Sequence, residues 1–175
     1  MNMQRALSIF PALLAISLLG GCATDPATLT PGLQYQGGAG GCGDIYITSS
    51  NAARTEYLVI DARRDQLALG TAPKTFDLAQ SPGGLSITID LYAYAPTLPK
   101  YCNDVISAND LKPATWKAIS GSATITLSTD SIPSGNTYTA TVTLKNVVFR
   151  DPSGGRQVTL AEQMLKNVVV GWYPG

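Results

Sequence analysis

The sequence predicts an all-β protein, an antiparallel β-sandwich of about eight to ten short strands, with a closed β-barrel as the alternative. Three observations lead to this prediction. Apolar and polar residues alternate with a period of two in several segments after residue 44. Gly, Pro, Asn, Asp and Ser separate these segments at intervals of about ten residues. No helical periodicity follows the N-terminal region, and 175 residues are long enough for one domain.

The alternating segments are predicted to be strands that face a common core. In chain order they are DIYITS (44–49), TEYLVIDA (55–62), LALG (67–70), KTFDLA (74–79), LSITIDLYA (85–93), SATITLS (122–128), TYTATVTLK (137–145) and NVVVGWY (167–173). The segment at 146–160 predicts a hairpin with its turn at Asp151–Gly155. LQYQ (33–36) is predicted as a short first strand and AEQMLK (161–166) as a helical turn.

The N-terminus has the pattern of an export signal. Residues 6–19 are almost wholly apolar, which is too short for a membrane-spanning helix but typical of a secretory signal. Leu19-Gly20-Gly21-Cys22 resembles the lipobox of bacterial lipoproteins. The resemblance implies that residues 1–21 are a signal peptide and that Cys22 carries the lipid. Because Ala23, and not Asp, follows the cysteine, it also implies location at the outer membrane of the cell envelope.

Residues 22–41 are predicted to be a flexible, lipid-anchored tether, because Pro, Thr and Gly dominate and no period is visible. Residues 42–175 are then a single β-sandwich domain. The glycine cluster at 37–43 ends the tether. It does not resemble a phosphate-binding loop, because a strand and not a helix follows it.

Cys42 and Cys102 are the two cysteines that remain after Cys22. An even pair in an oxidising compartment predicts a disulfide. A redox pair or a zinc site is the alternative, but the chain has neither a C-x-x-C motif nor a histidine.

The composition excludes several functions. Twelve basic and twelve acidic residues balance without a basic run, which argues against a nucleic-acid partner. The absence of histidine removes Ser-His-Asp and Cys-His catalysis and the usual zinc sites. No cofactor motif is present, so the prediction is no cofactor and no enzyme. A carboxylate-dependent hydrolase is the one catalytic alternative left open.

Two groups of residues are candidates for binding. Strand alternation places Tyr46, Tyr92 and Tyr94 on outward faces, where they could stack on sugar rings or contact a protein. The favoured interpretation is that they only suit a strand, or are covered by the loop at 96–113. Asp104 and Asp110 in that loop are candidate calcium ligands, although turn formation explains them better.

The predicted function is a non-enzymatic envelope lipoprotein: a membrane-tethered binding or assembly module. Its expected partners are the membrane, through the lipid anchor, and an envelope protein. Glycan or peptidoglycan binding through exposed tyrosines is the main alternative.

Overall fold

The protein is mostly β, as predicted: eight antiparallel strands form one sheet that is curled into a half-barrel. The structure, a computed structural model, describes residues 25–96, 101–103, 113–130 and 136–172. The strands are β1 (Ala39–Cys42), β2 (Ile45–Ser50), β3 (Glu56–Ala62), β4 (Lys74–Asp77), β5 (Leu85–Leu91), β6 (Ala114–Leu127), β7 (Tyr138–Arg150) and β8 (Gln157–Val170). The all-β class is thus confirmed, while the described strands form one curled sheet, which lies between the predicted sandwich of two sheets and the alternative closed barrel.

The strand order is β1-β2-β3-β5-β6-β7-β8, and β4 pairs with the second half of β6. The first four residues of β6 pair with β5, and β6 pairs with β7 from Lys117 to Leu127. Between the two halves the ladder shifts register twice, at 118–122. Gly121 lies at this shift with φ of 102°, and a Cβ there would lie 2.5 Å from the carbonyl oxygen of Asn146. The position therefore requires glycine.

This irregularity lets two long strands bend around one core. On β6 the buried residues change from even numbers, such as Trp116, to odd numbers, such as Ile125. On β7 they change from Leu144 to Val147, across Asn146 with φ of 50°. Because both strands gain a residue at the same place, the apolar face points inward on both sides of the bend.

The glycine cluster is where the two ends of the sheet meet. The N–H of Gly43 donates to the carbonyl oxygen of Trp172 at 2.6 Å, and the N–H of Gly171 donates back to Gly43 at 2.7 Å. A Cβ on Gly41 would lie 2.7 Å from Cγ1 of Val170. The cluster thus allows the close approach of β1 and β8 that closes one end of the half-barrel.

Two segments add to the core that the strands enclose. The connection between β3 and β5 contains a four-residue helix, α1 (Arg64–Leu67), and inserts Leu67, Leu69 and Leu78 at one end. At the other end the N-terminal segment, residues 25–37, buries Tyr35 and packs Leu29 and Leu33 against the core. Among the strands, Trp116 and Phe149 are the largest fully buried side chains.

The N-terminal segment is fixed to the domain by charged side chains. Arg156 donates to the carbonyl oxygens of Ala27 at 2.5 Å, Thr28 at 3.0 Å and Leu29 at 3.2 Å. Asp151, which is buried, holds Arg156 through a 2.8 Å ion pair. The Arg156 guanidinium also lies 5.1 Å from the centroid of the Trp116 ring, at cation–π distance. We call Arg156 and Asp151 the clamp.

A second carboxylate holds the same segment further along. Buried Glu56 accepts from the N–H groups of Gly32 at 2.7 Å and Leu33 at 3.0 Å. The N–H of Gly37 donates to the Ser50 carbonyl at 2.9 Å. The prediction of a flexible tether up to residue 41 is therefore wrong for residues 25–41. Its backbone groups find partners far away in sequence, which composition does not reveal.

Three local predictions also need correction. LQYQ (33–36) is not a strand; β1 begins later, inside the glycine cluster. AEQMLK (161–166) lies within β8 and is not helical. The segment at 114–121, which the prediction left out, forms the first half of β6. The hairpin with its turn at 151–155 is confirmed.

Replacing Arg156 with Ala should release the N-terminal segment. The three carbonyls would lose their donor, and Asp151 would lose its partner. We expect hydrogen exchange at residues 27–33 to be at least about tenfold faster, with a new protease-sensitive site in that segment. Arg150→Ala, an exposed arginine on the same hairpin, is the matched control. Unchanged protection in Arg156→Ala would contradict the clamp.

The ion pair of the clamp should also make the stability of the fold depend on pH in the acid range. Hydrogen bonding and pairing with Arg156 hold the pKa of Asp151 below its ordinary value of 3.8. Because the folded-state pKa is the lower one, the ionised form stabilises the fold above about pH 4, and this contribution declines as the pH falls further. Between about pH 5 and pH 2.5, the thermal midpoint of Asp151→Asn should fall less than that of the unmodified protein. Asp65→Asn, at an exposed acid, should follow the unmodified protein; parallel curves for Asp151→Asn would refute the assignment.

Candidate functional site

The candidate site is a cluster of aromatic side chains on the outer face of β2, β3 and β5, opposite the main core. It contains Tyr57, Val59, Tyr92 and Tyr101, with Tyr46 packed against it. We call these five residues the tyrosine cluster. Strand alternation produces it, because the residues between these positions, such as Leu58 and Ile89, point into the core.

Tyr101 comes from outside the sheet and joins the other rings together. Its ring centroid lies 5.0 Å from that of Tyr57 and 6.3 Å from that of Tyr46. Tyr57 and Tyr92 meet edge to face at 5.8 Å. These distances are typical of favourable aromatic pairs. Tyr101 therefore gives the outer face a second, smaller apolar layer.

A disulfide holds Tyr101 in this position. The sulfur atoms of Cys42 and Cys102 lie at bonding distance, with Cα atoms 5.6 Å apart, which confirms the predicted pair. Cys42 ends β1, so the bond attaches the residue next to Tyr101 to the edge of the sheet. In the chain-entropy model, a disulfide that closes a loop of this length stabilises the folded protein by about 4 kcal/mol.

A buried carboxylate lies beneath the tyrosine cluster. Asp90 accepts from the Tyr101 hydroxyl at 2.7 Å and from the Thr115 hydroxyl at 2.6 Å. The hydroxyls of Tyr92 and Tyr101 lie 3.0 Å apart. Burial, and then the charge of Asp90, raises the pKa of Tyr101. The hydroxyl therefore stays protonated and donates to the carboxylate.

The same environment affects Tyr46. Burial, and then the charges of Asp90 and Asp61, raises the pKa of Tyr46 to about 12. A raised pKa makes this phenol a poor general base near neutral pH. The arrangement can therefore hold and orient neutral hydroxyl groups, which suits structure or binding better than proton transfer.

The three predicted binding tyrosines have different environments. Tyr92 is only 3% exposed, so its assignment to an accessible face is wrong. Tyr46 is half-buried, and Tyr94 is 61% exposed. Tyr101 is the physical reason, because it packs over Tyr92 and covers this part of the outer face. Cys22, Asp104 and Asp110 lie outside the described residues.

Sequence reasoning missed Tyr101, Asp90 and Thr115 as members of the site. One signal was visible: Tyr101 precedes a cysteine that the predicted disulfide brings to β1. A second was the carboxylate of Asp90 at an outward position of a strand with few charges. Thr115 carried no signal, because the strand that contains it was not predicted.

An open groove lies next to this face, at the start of β6. Its volume is about 440 Å³. Thr115 belongs both to the groove and to the hydrogen bonds around Asp90. The other lining residues are three prolines, two alanines and two charged residues: Pro26, Pro113, Pro152, Ala27, Ala114, Asp25 and Lys117. The groove offers apolar rings with one charge of each sign.

The described residues contain no group of three metal-ligand side chains. Within the same ranges, no helix has the length and apolar character needed to cross a membrane. The polar groups in the described part of the site are the hydroxyls of tyrosine and threonine and the carboxylate of Asp90.

Tyr101→Phe should destabilise the protein by about 1–3 kcal/mol, because it leaves buried Asp90 with one donor fewer. The free energy of unfolding by urea is the measurement. Tyr57→Phe is the matched control: within the described ranges its hydroxyl makes no hydrogen bond, so the loss should stay within about 0.5 kcal/mol. Equal losses in the two variants would show that the Asp90 hydrogen bond does not stabilise the site.

Comparison with known proteins finds no relative of this chain. No protein-family model, no curated protein and no solved structure matches it. What the protein does must therefore follow from its own residues.

Proposed function

We propose that this protein is a non-enzymatic, lipid-anchored binding or assembly module of the cell envelope. The lipobox resemblance at residues 19–22 motivates the anchor. The observation that carries the proposal is the clamp, which holds the chain from Ala27 onward against the domain. An anchored domain with a fixed attachment point presents the same surface to its partner in every copy.

The short distance from Cys22 to the domain supports this orientation. Only Ala23 and Thr24 separate Cys22 from Asp25, whose carboxylate caps the short 3₁₀ helix at Pro26–Thr28. Three extended residues span at most about 11 Å. Lipidation at Cys22 would therefore hold the end of the half-barrel that carries the clamp close to the bilayer surface.

Two accessible features are suited to a protein partner. Tyr94 is exposed, and the groove at the start of β6 is rich in proline. Exposed tyrosine and apolar surface are both typical of protein interfaces. Glycan binding is less well supported, because Tyr92 is buried and Tyr46 is half-buried, which leaves Tyr94 as the one fully exposed ring of the three candidates.

The contacts of the acidic residues favour structural roles over hydrolysis. Buried Glu56, Asp90 and Asp151 each accept hydrogen bonds that attach one part of the chain to another. On the outer face, the strand register separates Asp61 from Asp90 by four residues, about 13 Å. That exceeds the separation of about 10 Å or less that paired carboxylates need.

A photo-crosslinking amino acid at position 94 of the full-length chain tests the proposal in intact envelopes. We expect one reproducible protein adduct from the membrane fraction. The same group at exposed Ala79, at the opposite end of the half-barrel, is the control and should give none. Cys22→Ser should abolish incorporation of labelled fatty acid and reduce the adduct.

Three results would contradict the proposal. Fatty-acid labelling that persists in Cys22→Ser would refute the anchor. Equal adducts at positions 94 and 79 would refute the binding surface. An adduct with glycan and no protein would favour the alternative partner.

A further inference from the structure

The outer edge of β8 is the longest strand edge that has no strand partner among the described residues. The sheet order ends at β8, which is 14 residues long. β1 approaches it only near its end, through Gly41 and Val170. Within the described ranges, no backbone hydrogen bond reaches this edge between Gln157 and Val169. Such an edge presents free N–H and C=O groups to another strand.

Three consecutive outward positions near the middle of β8 carry a specific pattern. Glu162, Met164 and Lys166 are all exposed, whereas Leu165 between them is buried. Met164 is 44% exposed, a large apolar side chain on an edge strand. An acid and a base therefore lie at equal distances on either side of a central apolar residue.

We infer that β8 pairs antiparallel with β8 of a second copy of this chain, centred on Met164. A two-fold axis through this residue places the Met164 side chains of the two copies next to each other. It also places Glu162 of each copy opposite Lys166 of the other. The pattern is self-complementary, which a two-fold interface requires. Opposite charges directly across a strand pair stabilise it.

The positions of Glu162 and Lys166 favour this register over the registers shifted by one or two residues. A shift to an axis through Gln163 or Leu165 removes both charge pairs, because either Glu162 or Lys166 then faces Met164. An axis midway between two residues pairs outward-facing residues of one copy with inward-facing residues of the other. The apolar faces of the two copies then point in opposite directions. Only the axis through Met164 matches charge, apolar contact and face together.

Within one copy, the described residues leave the charges of Glu162 and Lys166 only weakly paired. Glu162 has a loose pair with Lys145, with 3.7 Å between charged atoms and both side chains largely exposed. Lys166 has no acidic group within 4 Å among the described residues. In the dimer Glu162 lies between two lysines, and Lys166 gains a carboxylate.

The fold also limits the length of the pairing. Asn167 has φ of 51°, and the ladder between β7 and β8 is irregular beside it. This bulge ends the regular edge, so each copy contributes about five residues, from Glu162 to Lys166. A ladder of that length gives a weak dimer that closes on itself, not an open-ended stack.

Charge exchange tests the pairing in the full-length chain purified in mild detergent. Glu162→Lys creates two like-charge pairs in each dimer, as does Lys166→Glu, and either should raise the dimer dissociation constant about tenfold or more. The double variant Glu162→Lys/Lys166→Glu restores both pairs between the copies and should dimerise more tightly than either single variant. Sedimentation equilibrium over a concentration series measures all four proteins.

Cysteine crosslinking provides a second measurement that does not depend on affinity. Met164→Cys places two thiols opposite each other across the axis and should give a disulfide-linked dimer under mild oxidation. Val169→Cys, also exposed on β8, is the control: its two copies would lie about 33 Å apart and should not crosslink.

The two experiments can overturn the inference in distinct ways. Failure of the double variant to restore association would refute the register. Equal crosslinking at positions 164 and 169 would show non-specific contact. A chain that stays monomeric and uncrosslinked at every concentration, or that crosslinks at position 164 only to another protein, would refute self-pairing.

Discussion

The ion pair between Asp151 and Arg156 is the interaction on which one whole end of the molecule depends. Asp151 is buried, so its charge needs a partner, and Arg156 provides one at 2.8 Å. The remaining donors of the same guanidinium then satisfy three consecutive carbonyl groups of the N-terminal segment. Lysine could not do this, because an ammonium group has no planar fork of five donors. The pair thus determines where the chain enters the domain.

A similar arrangement organises the outer face. Asp90 is buried beneath Tyr101, and its hydrogen bonds require that ring to stay in place. The disulfide at Cys42 limits where the ring can go, and the tyrosine cluster supplies the apolar contacts. In both places a buried carboxylate holds residues that lie outside the strands: Asp151 holds the N-terminal segment through Arg156, and Asp90 holds Tyr101 directly. Buried carboxylates therefore replace ladder hydrogen bonds where the chain is irregular.

The sequence predicted the regular parts of the fold and missed the parts that depend on distant partners. Period-two alternation identified the buried sets on β5 and β7 correctly, because each strand has one apolar face. Residues 161–166 were misread as a helical turn, because the buried positions of β8 change parity on either side of this stretch, from Leu160 to Leu165 and from Leu165 to Val168, so the whole strand shows no continuous period of two. Pro and Gly in the N-terminal segment suggested flexibility, yet Arg156, more than a hundred residues away, fixes it. Alternation also placed Tyr92 outward correctly, but it could not reveal that Tyr101 covers that face.

The attachment point and the edge pairing constrain each other in the proposed assembly. Antiparallel pairing of β8 reverses one copy relative to the other, so the two clamps lie at opposite ends of the dimer. Each clamp holds Ala27, which is five residues from Cys22 and therefore at most about 18 Å from the anchor, if Cys22 is modified. Both anchors then reach one bilayer only when the two-fold axis stands along the membrane normal and the β8 strands lie along the membrane plane. If the strands instead stood upright, the two anchors would enter opposing membranes. The clamp and the edge together therefore restrict the proposed assembly to these two arrangements, because the chain from Ala27 onward is held to the domain and adds no length between anchor and domain.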